Sequence, residues 1–144
     1  MAEIGFYHLT RTDELAALPA LLTRTLAVGE KALVLCGSEA RVAAVDTALW
    51  LADWLPHGTA KTPHPQWQPV FISARPENPA DAKFLFLLDG VDTDVNGFAR
   101  VFDLFDGNNE TAVAAARTRW KTAKDAGHAM TYWKQSETGW AKAG

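Results

Sequence analysis

Two short, unbroken apolar runs constrain this chain more than any other feature. Lys31-Ala32-Leu33-Val34-Leu35-Cys36 and Lys83-Phe84-Leu85-Phe86-Leu87-Leu88-Asp89 are too short for buried helices and lack the alternation of half-solvated strands. They read as strands covered on both faces, the pattern of a parallel sheet sandwiched between helices. The segments around them fit. Ile4–Leu9 reads as a first strand. Thr12-Asp13-Glu14 caps a helix whose apolar stripe is Leu15, Leu18, Leu22 and Leu26, with Gly29 as its stop. Pro19 is expected to kink that helix or delay its start. Gly37-Ser38 turns the chain into a second helix, from Glu39 to about Trp54, and Val70–Ser73 is a further strand.

Pro56, Gly58, Pro63, Pro65 and Pro69 mark residues 55–69 as a long loop. The spacing of Phe98, Val101, Phe102 and Phe105 predicts a short helix from Asn96 to Phe105, broken by Asp106-Gly107-Asn108-Asn109. Glu110 to Ala126 is a long helix closed by Gly127, and Met130–Trp133 a last strand. Strands alternating with helices give an α/β fold, a Rossmann-like three-layer sandwich with a mostly parallel sheet. At 144 residues without a compositional break, a single domain over 1–144 is expected.

Charge is unevenly placed. From Arg117 onward there are six Lys/Arg against two Asp/Glu, a local +4; residues 1–116 carry eight against fifteen, or −7, and the two give the overall −3. Such asymmetry points to an acceptor for something acidic. On the long helix Arg117, Lys121 and Lys124 recur at i, i+4 and i+7, while Val113, Ala116, Trp120 and Ala123 form the apolar stripe, so Trp120 stands on the border. An acidic peptide with an apolar end matches this: cations pair with its carboxylates and the indole buries its tip. The bland reading is that basic residues simply favour a helix C-terminus and Trp120 is core. Single-stranded DNA on Trp120, Trp133 and the lysines is a competing use, opposed by a pI near 5.7.

Other chemistry is weakly marked. There is no G-x-G-x-x-G and no Walker motif, so neither a dinucleotide site nor a cofactor is expected. Cys36, the single cysteine, excludes an intrachain disulfide and fits a reducing cytoplasm. Its place at a strand end, with Arg41 five residues on, resembles the phosphate-binding loop of low-molecular-weight phosphatases, which needs six. A phosphate-handling α/β enzyme using Cys36 is therefore the alternative reading, against a buried thiol. Asp92, Asp94, Asn96 and Gly97, with Asp103 at the twelfth position, match an EF-hand loop. No entering helix precedes them and Arg100 occupies the ninth position, so a solvated loop is the default. The four histidines have no metal-like spacing. Residues 1–9 lack a signal peptide's pattern, and no apolar run approaches a bilayer span, so a soluble, cytoplasmic protein is expected.

Taken in order, Phe6-Tyr7-His8-Leu9, Gly29-Glu30-Lys31-Ala32-Leu33-Val34-Leu35, Asp46-Thr47-Ala48-Leu49-Trp50, Leu55-Pro56-His57-Gly58, Ala116-Arg117-Thr118-Arg119-Trp120-Lys121, Ala126-Gly127-His128 and Tyr132-Trp133-Lys134-Gln135 resemble the chi subunit of bacterial DNA polymerase III holoenzyme. The resemblance implies a non-catalytic, Rossmann-like accessory protein of the clamp-loader assembly. It implies a partner too, the single-stranded DNA-binding protein, gripped by an acidic C-terminal tail that ends in an Ile-Pro-Phe type tip. The family's tail-binding Arg, aromatic and Lys fall on Arg117, Trp120 and Lys121, with Trp120 standing where characterised members have Tyr. A second surface, around Trp50, Pro56 and His57, is implied for the psi subunit or another clamp-loader component. A structural role for those three residues is the competing reading.

Overall fold

The computed structural model describes residues 2–52 and 55–143. The elements run β1 (Glu3–Leu9), α1 (Glu14–Ala27), β2 (Ala32–Leu35), α2 (Glu39–Leu51), β3 (Gly58–Thr59), β4 (Val70–Ser73), β5 (Phe84–Leu87), β6 (Arg100–Asp106), α3 (Glu110–Asp125), β7 (Ala129–Ser136) and β8 (Gly139–Lys142). Trp54, where the second helix was expected to end, lies outside the described residues. One eight-stranded sheet has the order β3-β4-β2-β5-β6-β1-β7-β8, parallel throughout except for the β7–β8 hairpin.

Both faces of the sheet are covered, which is why its strands do not alternate in sequence. Ala32 and Val34 of β2 point with Leu18, Leu22, Val45 and Leu49 into one core, beneath α1 and α2. Leu33 and Leu35 point with Phe6, Leu85, Phe105 and Ala116 into the other, beneath α3. The mostly parallel three-layer sandwich read from the sequence is therefore the fold.

Local details differ from expectation. Pro19 does not delay α1: Asp13 caps the helix by accepting from Ala16 N at 2.8 Å, so the first turn is fixed ahead of the proline. The 55–69 loop holds a two-residue edge strand, β3, and a 3-10 turn at Pro65–Trp67. The expected helix from Asn96 to Phe105 is instead the strand β6. Phe102 and Leu104 face α1 while Val101 and Phe105 face α3, so a strand buried on both sides carries apolar residues at spacings that imitate a helix. The last strand is longer than expected and gains an antiparallel partner, β8.

Asp103 is the one charged side chain of β6 turned into the α3 core, and it is 2% exposed. Arg119 of α3 meets it with both arms of its guanidinium: Nε donates to Oδ2 at 2.7 Å and Nη2 to Oδ1 at 2.9 Å. Burial raises the Asp103 carboxyl pKa and the arginine draws it back. This forked pair fixes the rotation of α3 on the sheet, and with it the direction in which Arg117 and Trp120 project.

Candidate functional site, an aromatic cavity under the basic helix

Asn109 caps α3 by accepting from Ala112 N at 3.0 Å, and Glu110 sits in its first turn. Ala116 is buried, Val113 and Ala123 are partly buried, and Trp120 is half-buried at the edge of the core, the border position expected from the sequence. The indole packs edge-on against Phe6 (5.3 Å between ring centres, 71°) and Tyr132 (5.8 Å, 73°).

Between α3 and the β6-β1-β7 part of the sheet lies a cavity of about 370 Å³, lined by Phe105, Val113, Ala116, Arg117, Trp120, Tyr132 and Ala143. Three aromatic rings from three elements converge there. Its outer wall is the hairpin: Ala143 N donates to Tyr132 O at 2.7 Å. Behind Tyr132, His8 bonds the tyrosine hydroxyl through Nδ1 and tilts against Phe105 (5.1 Å, 59°). Gly107 makes room for that imidazole, since a Cβ there would collide with His8 Cδ2 and Nε2. Burial lowers the His8 pKa, with Lys134 and Arg117 adding to the effect, so the ring is neutral at pH 7 and backs the cavity without adding charge.

Arg117 is exposed and, among the described residues, makes no ion pair within 4 Å; neither do Lys121 and Lys124. The structure thus brings Arg117 and Trp120 into one wall, whereas Lys121 and Lys124 are exposed and do not line the cavity. Phe105 and Tyr132 were not assigned to the site in sequence. Phe105 fell in the misread helix, and Tyr132 reaches the site only because β7 lies beside β1. The arrangement presents a cation with no ion-pair partner among the described residues beside a cavity in the size range of ligand pockets, suited to an anionic group attached to an apolar one.

The other marked residues sit elsewhere. Trp50 is 73% exposed on the last turn of α2 and meets His57 edge-on (5.0 Å, 63°). Pro56 is exposed, whereas His57 is buried, with Nδ1 2.8 Å from Leu55 O and Nε2 2.8 Å from Asp46 Oδ1. His57 therefore braces the turn and Trp50 offers the surface.

At the β2–α2 turn, where folds of this shape cradle phosphate, the protein's own acids take the donors. Gly37 N donates to Asp89 Oδ2 and Arg41 Nε to Asp89 Oδ1, both at 2.9 Å; Arg41 Nη2 donates to Glu14 Oε1 at 3.1 Å, and Asp89 N to Glu14 Oε2 at 2.9 Å. Burial, with Asp89 adding to it, pushes the Cys36 thiol up to about 12, so it is protonated at neutral pH and a poor nucleophile. The EF-hand reading loses its twelfth ligand, because Asp103 is held by Arg119. Trp120 and Trp133 lie on opposite faces of the sheet, so they cannot share one strand of DNA as a single platform.

Burial also pushes the Glu14 carboxyl up to about 7, against the Asp89 N–H bond that lowers it. The folded state then prefers the protonated acid. Glu14 contributes nothing below its ordinary value of 4.5, and a penalty that grows from there to about 7 and is fully present above it. Glu14→Gln is therefore expected to raise Tm relative to the parent more at pH 8 than at pH 5. Thermal melts at the two pH values check it; an equal difference at both removes Glu14 as the titrating group.

Compared with protein families, residues 1–131 match the family described as DNA polymerase III chi subunit, HolC. The chain belongs to that family. As a member of the chi family it is an accessory subunit of DNA polymerase III, a protein of DNA replication. Compared with curated proteins, it returns no match. The chi match takes in α3 with Arg117 and Trp120 and ends one residue before Tyr132, so the hairpin wall of the cavity lies beyond the matched span. No helix of the described residues is long and apolar enough to cross a membrane.

Proposed function

We propose that this chain ties the clamp-loader assembly of DNA polymerase III to the single-stranded DNA-binding protein by holding that protein's acidic, apolar-tipped C-terminal tail in the α3 cavity. The observation that carries the reading is Arg117, which pairs with no carboxylate within 4 Å among the described residues and lines a cavity walled by Trp120, Tyr132 and Phe105. The tip buries against the three rings, and the carboxylate end pairs with Arg117. Lys121 and Lys124, exposed on the same helix, attract the aspartates upstream of the tip without closing the cavity. A short peptide held by one partly exposed ion pair and one apolar tip binds in the micromolar range, about −8 kcal/mol, and more weakly as salt is added.

Calorimetric titration with a tail peptide tests it. Arg117→Ala is expected to weaken binding about 10-fold while leaving Tm nearly unchanged, because the side chain is exposed and makes no ion pair among the described residues. Unaltered affinity would remove Arg117 from the site.

The clamp-loader side of the linkage falls to the end of α2. Trp50 and the neighbouring Leu51, 85% exposed, form an apolar surface next to the exposed Pro56, steadied from behind by His57. Large apolar side chains left in water at a helix end suit a protein partner, the psi subunit or another clamp-loader component. Trp50→Ala is expected to abolish co-purification with that component and leave the tail-peptide affinity at the parental value. Loss of both together would mean that the two surfaces are not separate.

A further inference from the structure

The sheet face opposite the α3 cavity carries a second hollow, of about 230 Å³, between the C-terminal half of α1 and the β7–β8 hairpin. Its walls include Tyr7, Trp133 and Trp140, and Arg24 and Arg100 line it as well. Adjacent residues of β7 thus serve opposite faces, Tyr132 toward α3 and Trp133 toward α1. Neither arginine pairs with a carboxylate within 4 Å among the described residues. Arg100 rests instead over the ring of Phe102, 4.9 Å from its centre.

Tyr7 is 6% exposed, stacks on Trp133 (6.3 Å, 14°) and meets Trp140 edge-on (5.0 Å, 88°). Trp133 Nε1 donates to Thr131 Oγ1 at 3.1 Å. The Tyr7 hydroxyl and the Trp140 indole N–H have no hydrogen-bond partner among the described residues, yet no fully buried side-chain polar atom there is unpartnered. Both groups therefore reach solvent, and both residues line the hollow.

We propose that this hollow binds one nucleotide of single-stranded DNA, its base against Trp133 and Trp140 and its phosphate at Arg24 and Arg100. A base offers a flat face to the indoles and acceptor edges to the two free donors, whereas an apolar peptide tip would leave those donors covered and unpaired. The two arginines act on phosphate irrespective of sequence. Glu3, register neighbour of Arg100, offsets part of their charge, so the site is weak alone and works beside a protein that already gathers the strand.

Anisotropy titration of the full chain with a short labelled oligothymidylate tests this. The expected result is saturable binding at low salt, with a log–log salt slope of about −0.7 for the one phosphate neutralised. Arg24→Gln, on the exposed side of α1, and Trp140→Ala are each expected to weaken it about 10-fold. Thymidine monophosphate run in parallel separates the sources. Tighter binding of the oligonucleotide supports a strand site, and equal affinity overturns that in favour of a free-nucleotide site. Absence of saturable binding at low salt overturns the proposal. So does loss on Arg117→Ala without loss on Arg24→Gln, and so does a fall in tail-peptide affinity on Arg24→Gln, which would make this a peptide site. The tail cavity is tested through α3 residues, so either site can fail without the other.

Discussion

Asp103→Ala is expected to cost about 3–5 kcal/mol of stability and lower Tm by roughly 10–17 °C. The carboxylate and guanidinium side chains are 3% and 11% exposed, so neither can exchange its partner for water. Removing the acid strands the Arg119 charge between α3 and β6, and the large cost comes from that uncompensated charge rather than from the lost bond. Replacing both partners with apolar residues, as in Asp103→Leu with Arg119→Met, is expected to cost much less. Urea denaturation of the single and double variants measures the difference. A single-variant cost below about 1 kcal/mol would mean that water reaches the pair and that it does not orient α3. Because Trp120 follows Arg119 directly, the single variant should also weaken tail binding, the double variant less so.

The largest effect on binding is expected from Trp120→Ala, a fall in tail-peptide affinity of about 30- to 100-fold, equivalent to 2–3 kcal/mol. In the proposed complex Arg117 would contribute a charge at the rim and Trp120, braced by Phe6 and Tyr132, the wall on which the apolar tip is buried. Truncation leaves a widened cavity open to water. Trp120→Tyr is the informative companion, since tyrosine stands at the matching position in the chi relatives that the sequence resembles. It should keep affinity within a few-fold. Equal loss in both variants would show that the indole is required as such, and no loss in either would move the tip elsewhere. Circular dichroism alongside separates lost binding from lost fold.

Much of this was legible in the sequence, for identifiable reasons. Apolar runs buried on both faces gave away β2, β4 and β5, and Asn109 with Gly127 bounded α3. The same two-sided burial disguised β6, because a strand without solvent has no reason to alternate. β8 escaped because Gly139-Trp140-Ala141-Lys142 is short and mostly exposed, and becomes a strand only once β7 offers its edge. The site divided along similar lines. Arg117 and Trp120 share one helix, so helical spacing alone put them together. Phe105 and Tyr132 come from strands on either side of β1, and their convergence depends on a strand order that no local pattern encodes. Spacing also groups Lys121 and Lys124 with Arg117, but only Arg117 reaches the cavity, because the forked Asp103–Arg119 pair sets how α3 is turned.

The indole N–H groups serve as reporters already in place. In a ¹⁵N-labelled sample titrated with the tail peptide, the Trp120 indole resonance is expected to shift progressively to saturation, while those of Trp133 and Trp140 across the sheet hold still. A peptide that binds while moving Trp133 or Trp140 and leaving Trp120 in place would contradict the assignment of the tail to the α3 cavity.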